Sequence, residues 1–374
     1  MFPDYDGGGI VNLMSSIRHA FDGDHDYPEL SILGSEELSR SNKIMLIVID
    51  GMGYNFVKRN ASGTVLEKML RGPMTSVFPS TTGAAIPSFH TGLPPQQHAC
   101  TGWFMNLKEL GAVSTTLLFT PRAMKRYTYP KKDFDRSIVM DKPTFETGIN
   151  ADYIGIRPSD IALETDQGYN SLSGFYRQLL RAARGDGKRY IFGYWPQFDH
   201  LCHEYGVASD EVKEHFIELT GFITDLKQRL EGTGTRIIIT ADHGMIDTTE
   251  ERRIDLREYK EIYDCLSLPL CGDVRAVYCY VRLSKAETFE ALVKKKLSKY
   301  CDIYRSEDLV EQGVFGKFAP DKRLYERIGD FVIIPKSNYA IVDNLHGKEK
   351  PSMIGMHSGV DEDEMLVPLL VNDG

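Results

Sequence analysis

The sequence predicts a doubly wound α/β protein: a mostly parallel sheet with helices between its strands, carrying a smaller inserted α+β subdomain. Two observations lead there. Three continuous apolar runs of strand length, at 43–50 (KIMLIVID), 189–194 (RYIFGY) and 235–240 (TRIIIT), each lead to an acid at or beyond the tip, namely Asp50, Asp199 and Asp242. Unbroken apolarity suits a strand buried on both faces, as in a parallel sheet. Acids at the carboxyl ends of such strands point into the crevice where open α/β sheets bind ligands. Segments of helical character at 55–70, 171–183 and 211–230 separate these runs.

The remaining elements follow in chain order. Residues 10–21 fit a short amphipathic helix, and 22–27 a loop. Residues 75–78 read as a fourth strand, closed by Pro79 and followed by Ser80, Thr81 and Thr82. Gly83-Ala84-Ala85-Ile86 then starts a helix of small residues. A hydroxyl at such a turn lies where the first helical N–H groups lack partners and the dipole is positive, which suits an attacking oxygen and the phosphate it attacks. Serine and threonine are equally at home there as plain N-caps.

Residues 104–186 are mixed, with a strand expected at 115–119 and a polar stretch, RAMKRYTYPKKD, at 122–133. From about Arg252 the texture changes: a strand at 274–281, a helix at 286–299, a short strand at 302–305, and a hairpin from 330–335 and 339–342. The chain then returns to the core with a final strand at 365–371. The expected division is a core of 1–250 and 349–374 and an inserted subdomain of 251–348.

Composition narrows the function. Of 374 residues, 42% are hydrophobic and 26% charged, the profile of an ordinary globular protein. The net charge of -9, without a basic track, argues against polymeric nucleic acid as a partner. A small phosphorylated substrate remains compatible if metal ions supply local positive charge. No apolar run is long enough to cross a bilayer, and the N-terminus has neither a basic n-region nor a long apolar h-region. The six cysteines form no CxxC pair and no disulfide-like framework. Cytoplasmic residence with reduced thiols and no membrane partner is therefore expected. Cys202 is read as packing.

Acids and imidazoles recur where ligands belong. In FDHLCHEYG at 198–206, Asp199 and His203 share a helical face, as do His200 and Glu204, and spacing alone does not choose between the pairs. Asp242-His243 is an acid–imidazole pair at a strand end, and His357 lies in the Gly-flanked GMHSG. Each also has a plain reading as a turn former, a cap or a structural histidine. His90, His98, His215 and His346 are read as structural, with His98 the best placed to make a supporting hydrogen bond. Jointly, Asp/His ligands on successive strand ends beside a hydroxyl suit two Zn²⁺ ions about 4 Å apart at a phosphoryl-transfer site, with Mn²⁺ also admissible.

The sequence resembles the alkaline phosphatase superfamily, in its type I phosphodiesterase/nucleotide pyrophosphatase branch. IDGMG (49–53), FPSTT (78–82), HTGLPPQQH (90–98), FDHLCHEYG (198–206), TADHGM (240–245) and GMHSGVDEDEMLVPLLV (355–371) carry the likeness, in family order. The resemblance implies an alkaline phosphatase-like core. It implies that Asp199, His203 and His357 hold one metal, while Asp50, Asp242 and His243 hold the other, which also touches the nucleophile. Three residues after Pro79 and nine before Thr91, that nucleophile is Thr82, with Thr81 the alternative. The implied reaction passes through a covalent phospho-threonine.

Two departures accompany the likeness. Nucleotide pyrophosphatases usually carry an aromatic directly after the nucleophile, where this chain has Gly83, and an Asn where it has Trp103, with Asn106 three residues on. Trp103 and Tyr205 are candidates to line a leaving-group pocket. The sulfatase-type Cys/Ser-x-Pro-x-Arg turn is absent. Phosphodiester hydrolysis is the leading expectation. A phosphomonoesterase, a phosphonate hydrolase or a catalytically inactive metal-binding protein are the alternatives.

Overall fold

A computed structural model describes residues 1–117, 119–124, 127, 129, 136–345 and 353–372. His346 and much of the polar stretch at 122–133 lie outside the described residues. Two compact units divide the chain. One comprises Asp4–Ser76, Thr144–Met245 and Leu366–Gly374, the other Met1–Pro3, Val77–Pro143 and Ile246–Met365.

The first unit is built on a seven-stranded sheet in the order Leu70–Thr75, Leu366–Val371, Thr235–Thr240, Lys43–Ile49, Arg189–Trp195, Asp152–Pro158, Gln167–Tyr169. Lys43–Ile49 pairs in parallel on both sides, and all seven of its residues are buried, as its unbroken apolarity requires. Only Leu366–Val371 runs against its neighbours. The sheet is therefore mostly parallel, as expected. Register then sets the site. Ile49 lies opposite Trp195 and Val48 opposite Thr240, so Asp50 and Asp242 emerge at one level on one edge.

The helices of this unit follow their apolar periodicity. Asp210–Leu230 buries Val212, Phe216, Leu219, Ile223, Leu226 and Leu230 at three- and four-residue intervals. Ser209 caps it by accepting from Val212 N–H at 3.3 Å. Leu172–Ala182 is capped in the same way by Ser171. The single helix expected at 55–70 is instead two, Tyr54–Asn60 and Val65–Met69. Ala61-Ser62-Gly63-Thr64 interrupts it: Gly63 takes φ +75° and Thr64 caps the second piece.

The second unit holds another seven-stranded sheet, in the order Cys301–Arg305, Phe331–Pro335, Ala276–Cys279, Cys271–Asp273, Phe104–Leu107, Ala112–Thr115, Thr120–Pro121, antiparallel throughout. Its strands come from residues 104–121 as well as from 271–335. Pairing of Phe104 with Gly272 joins residues far apart in sequence, which a scan for local composition does not detect.

Three further expectations are corrected. The strand placed at 75–78 is Leu70–Thr75, and Phe78 packs against Phe315 among apolar side chains of the second unit. The strand placed at 115–119 stops at Thr115, and Phe119 turns at φ +53° before Thr120–Pro121. The hairpin at 330–342 does not form. Phe331–Pro335, buried at all five positions, takes Cys301–Arg305 and Ala276–Cys279 as partners, while Ala340–Val342 pairs in parallel with Arg253–Asp255.

Ile47, fully buried on the central strand, tests this architecture. Ile47→Ala should lower unfolding free energy by about 2–5 kcal/mol in urea denaturation, because neighbours on both faces cannot close the cavity.

Candidate active site

The strand tips of the first unit gather Asp50, Asp242 and His243. All three are buried, and one ligand atom from each lies within 4.8 Å of the other two. Asp242 Oδ1 accepts two backbone N–H groups, from Gly51 at 3.1 Å and from His243 at 3.0 Å. Asp242 Oδ2 receives no hydrogen bond from a described donor and faces His243 Nε2 at 3.5 Å. Asp50 Oδ1 lies 3.2 Å from the same nitrogen, and the Tyr194 hydroxyl donates to Asp50 Oδ2. The Ser76 hydroxyl donates to the Asp242 carbonyl and ties down that turn.

The imidazole is oriented by backbone. His243 Nδ1 lies 3.1 Å from the Gly244 carbonyl, which can only accept, so Nδ1 carries the proton and Nε2 turns to the carboxylates. Burial opposes charge on this ring, but Asp242, Asp50 and Asp199 outweigh it and hold its pKa above the ordinary histidine range. Burial first, then the Asp50 charge, push Asp242 above the usual carboxylate range. Burial and the Asp50 charge likewise raise the Tyr194 phenol well above its ordinary value.

These shifts share one meaning. Carboxylates enclosed away from water call for positive charge at their centre. An imidazole nitrogen that can exchange its proton for a metal, aimed at these carboxylates, and a buried carboxylate oxygen without a described donor fit the donor set of a divalent-cation site.

Asp199 and His203 lie one helical turn apart on Gln197–Tyr205, with His203 Nε2 3.3 Å from Asp199 Oδ1. Phe198 and Cys202 are buried, and Phe198 packs on Phe56. One residue further round, Asp199 and His203 are only 16% and 17% exposed, whereas His200 and Glu204 reach 68% and 51%. Packing of Phe198 and Cys202 thus turns one of the two candidate pairs inward and leaves the other in solvent. Gly51 lets this helix come close: at φ +75°, a Cβ there would lie 3.1 Å from the Asp199 Cα.

In the second unit, Thr82 begins the Thr82–Thr91 helix, with Thr81 as N-cap. Thr81 makes no side-chain capping bond and is buried, while Thr82 is partly exposed, which favours Thr82 as the accessible hydroxyl. Gly83 has no room for a side chain, since a Cβ would meet the Gly102 carbonyl oxygen at 2.7 Å. The aromatic that the sequence lacks at this position has no space here.

His98 supports this helix. It accepts from Cys100 N–H at Nδ1 and turns Nε2 to the Ser88 hydroxyl at 3.0 Å. Burial pushes its pKa down to about 3, so it is a neutral link. His357 Nδ1 lies 3.2 Å from the Ser80 carbonyl, again fixing the proton on Nδ1 and leaving the lone pair on Nε2. Trp103 donates its backbone N–H to Asp273, Asn106 donates to the Glu326 carbonyl, and Tyr205 is exposed.

Sequence reasoning missed Tyr194 and Ser76. Tyr194 sits at the buried end of the Arg189–Trp195 strand, between Gly193 and Trp195, where a hydroxyl-bearing ring in a buried run was the available signal.

Comparison with known proteins bears on the fold and the family. The human bis(5'-adenosyl)-triphosphatase ENPP4 is 25% identical over 189 residues, covering 48% of this chain and 38% of that protein. The chain thus matches well under half the length of that curated relative. Murine ENPP5, an ectonucleotide pyrophosphatase/phosphodiesterase, superposes with a TM-score of 0.66 at 16% identity, covering 87% of both chains. Human ENPP5 gives 0.65 at 18% identity, covering 88% of this chain and 87% of that one. An inactive threonine-to-alanine form of the murine protein, in complex with AMP, gives 0.64 at 15% identity, covering 87% of each chain. At such identities these likenesses establish the α/β fold. The family profile described as type I phosphodiesterase / nucleotide pyrophosphatase matches residues 44–360, and this chain belongs to that family of phosphoric ester hydrolases.

Proposed function

We propose that this chain hydrolyses small phosphorylated substrates, most readily phosphodiesters or nucleotide pyrophosphates, at a two-metal site through a phospho-Thr82 intermediate. The buried Asp50–Asp242–His243 cluster carries the reading, because its oriented donors fit a divalent ion. Asp199, His203 and His357 are assigned to a second ion by the resemblance. Zinc suits the imidazole-containing donor set, and manganese is admissible.

When bound, the two cations supply Lewis-acid charge that lowers the pKa of the attacking hydroxyl and offsets charge on the phosphoryl oxygens. Thr82 Oγ loses its proton to solvent and attacks phosphorus. The Thr82–phosphorus bond forms as the bond to the leaving oxygen breaks, and water later cleaves the phospho-threonine to restore the hydroxyl. The helix beginning at Thr82 presents its positive end where that charge develops.

Family membership and the names of the relatives support this reading. One is called a bis(5'-adenosyl)-triphosphatase, and another is inactive as a threonine-to-alanine form with AMP bound. Gly83 favours a second possibility at the same site, a phosphomonoesterase or phosphonate hydrolase, since the Gly102 backbone fills the place of a base-stacking side chain. Residues 251–348 are proposed to help choose the leaving group. Cytoplasmic residence is proposed, with six buried cysteines that form no disulfide among the described residues in its support.

Thr82→Ala should lower turnover of bis-p-nitrophenyl phosphate by about 10³-fold or more while the protein still binds zinc. Full activity in that variant would remove Thr82 as nucleophile, and faster turnover of p-nitrophenyl phosphate by the native chain would favour the monoesterase. Dialysis against a chelator should abolish activity, and zinc or manganese should restore it. Elemental analysis should find the metal content of Asp242→Asn reduced by about one equivalent, with binding weakened at least tenfold.

A further inference from the structure

Arg275 and Glu364 take no part in the chemistry above, yet both are buried, at 1% and 0% exposure. They meet as a fork, Nε to Oε1 and Nη2 to Oε2, each at 2.6 Å. A buried ion pair is a poor source of stability, because desolvation offsets its attraction and apolar replacements often do as well. What the pair grips is more informative.

Glu364 Oε1 also accepts the Gly359 N–H at 2.8 Å, and the Arg275 backbone N–H donates to Ser358 Oγ at 3.2 Å. Both partners therefore hold the two residues that follow His357. Ser358 sits at φ +96°, a backbone state that a non-glycine residue keeps only when its surroundings impose it. Gly359 lies so close that a Cβ there would come within 2.7 Å of Glu364 Oε2. On its other side, this loop meets the nucleophile turn. Ser80 Oγ donates to the Gly359 carbonyl at 2.8 Å, Ser80 and Ser358 form a β-bridge, and His357 Nδ1 donates to the Ser80 carbonyl. Ser80 stands two residues before Thr82.

We propose that the Arg275–Glu364 pair positions His357 and the Thr82 turn relative to one another by locking the Ser358–Gly359 backbone between them. The inference rests on the roles proposed for Thr82 and His357. Arg275 and Glu364 are positioning residues: they set the direction of His357 Nε2 and the place of the hydroxyl, and touch no reacting atom.

Zinc titration of the chelator-stripped full chain, read by calorimetry, and kinetics on bis-p-nitrophenyl phosphate test it together. Native protein that takes up fewer than two equivalents refutes the two-metal reading itself. Given two, the double variant Arg275→Met/Glu364→Leu should keep one zinc equivalent at native affinity and weaken the other by about tenfold or more. Its kcat should fall by about tenfold or more with KM within about twofold, the pattern of a group misplaced in the transition state. Ser80→Ala removes only the hydroxyl bond to Gly359 and should move the same zinc equivalent and kcat in the same direction by about threefold. A folded double variant with native zinc affinity and kcat overturns the proposal. If the double variant does not fold, native behaviour of Ser80→Ala overturns it.

Discussion

The structure depends on charge that has been shut away from water. Asp50 and Asp242 stand at one level on the edge of a parallel sheet, and both are buried beside His243. Two like charges about 4 Å apart repel by roughly 4 kcal/mol at an effective dielectric of 20, a sizeable share of the stability of a folded domain. Such an arrangement holds only with a compensating cation, whether a proton shared among the groups or a metal. The raised pKa values of Asp242 and His243 express that demand, with burial and the neighbouring acids as its causes. Ion binding and folding are thereby coupled, since an ion that binds only the folded chain adds its binding free energy to stability.

Much of this was legible in the sequence, and the reason is physical. A strand buried on both faces must be apolar along its whole length, so Lys43–Ile49, Arg189–Trp195 and Thr235–Thr240 were visible as runs. An acid directly after such a run has few places to go, so Asp50 and Asp242 could be singled out. The choice between Asp199/His203 and His200/Glu204 was not legible from spacing, because both pairs obey the helical period. Burial of Phe198 and Cys202 decides it, and that is a property of packing. The same limit explains the failed hairpin and the second sheet. Pairing of Phe104–Leu107 with Cys271–Asp273 has no local signature, and Phe331–Pro335 found partners other than its sequence neighbour.

Small residues mark where backbone approaches backbone. Gly51 admits the helix that carries Asp199, Gly83 admits the Gly102 carbonyl, and Gly359 admits the Glu364 carboxylate. In the sequence these glycines look like ordinary turn formers. At Gly51 the positive φ is part of the reason, but at Gly83 and Gly359 it is space alone that excludes a side chain. The missing aromatic at 83 is therefore explained by crowding.

Both imidazoles are set by main-chain carbonyls: His243 by Gly244, and His357 by Ser80. A side-chain acceptor in those places could be lost by one substitution, and as a carboxylate it would add negative charge to an already acidic neighbourhood. A carbonyl fixes the tautomer without adding charge and moves only if the backbone moves. The geometry of such a site is then as good as the conformation of the turns that carry it. For His243 the turn is secured by Ser76 on the Asp242 carbonyl and by the N–H groups on Asp242 Oδ1. For His357 the following backbone is secured by Ser80, Arg275 and Glu364. Polar groups remote from the reacting atoms thus hold the turns on which the direction of each ring nitrogen depends.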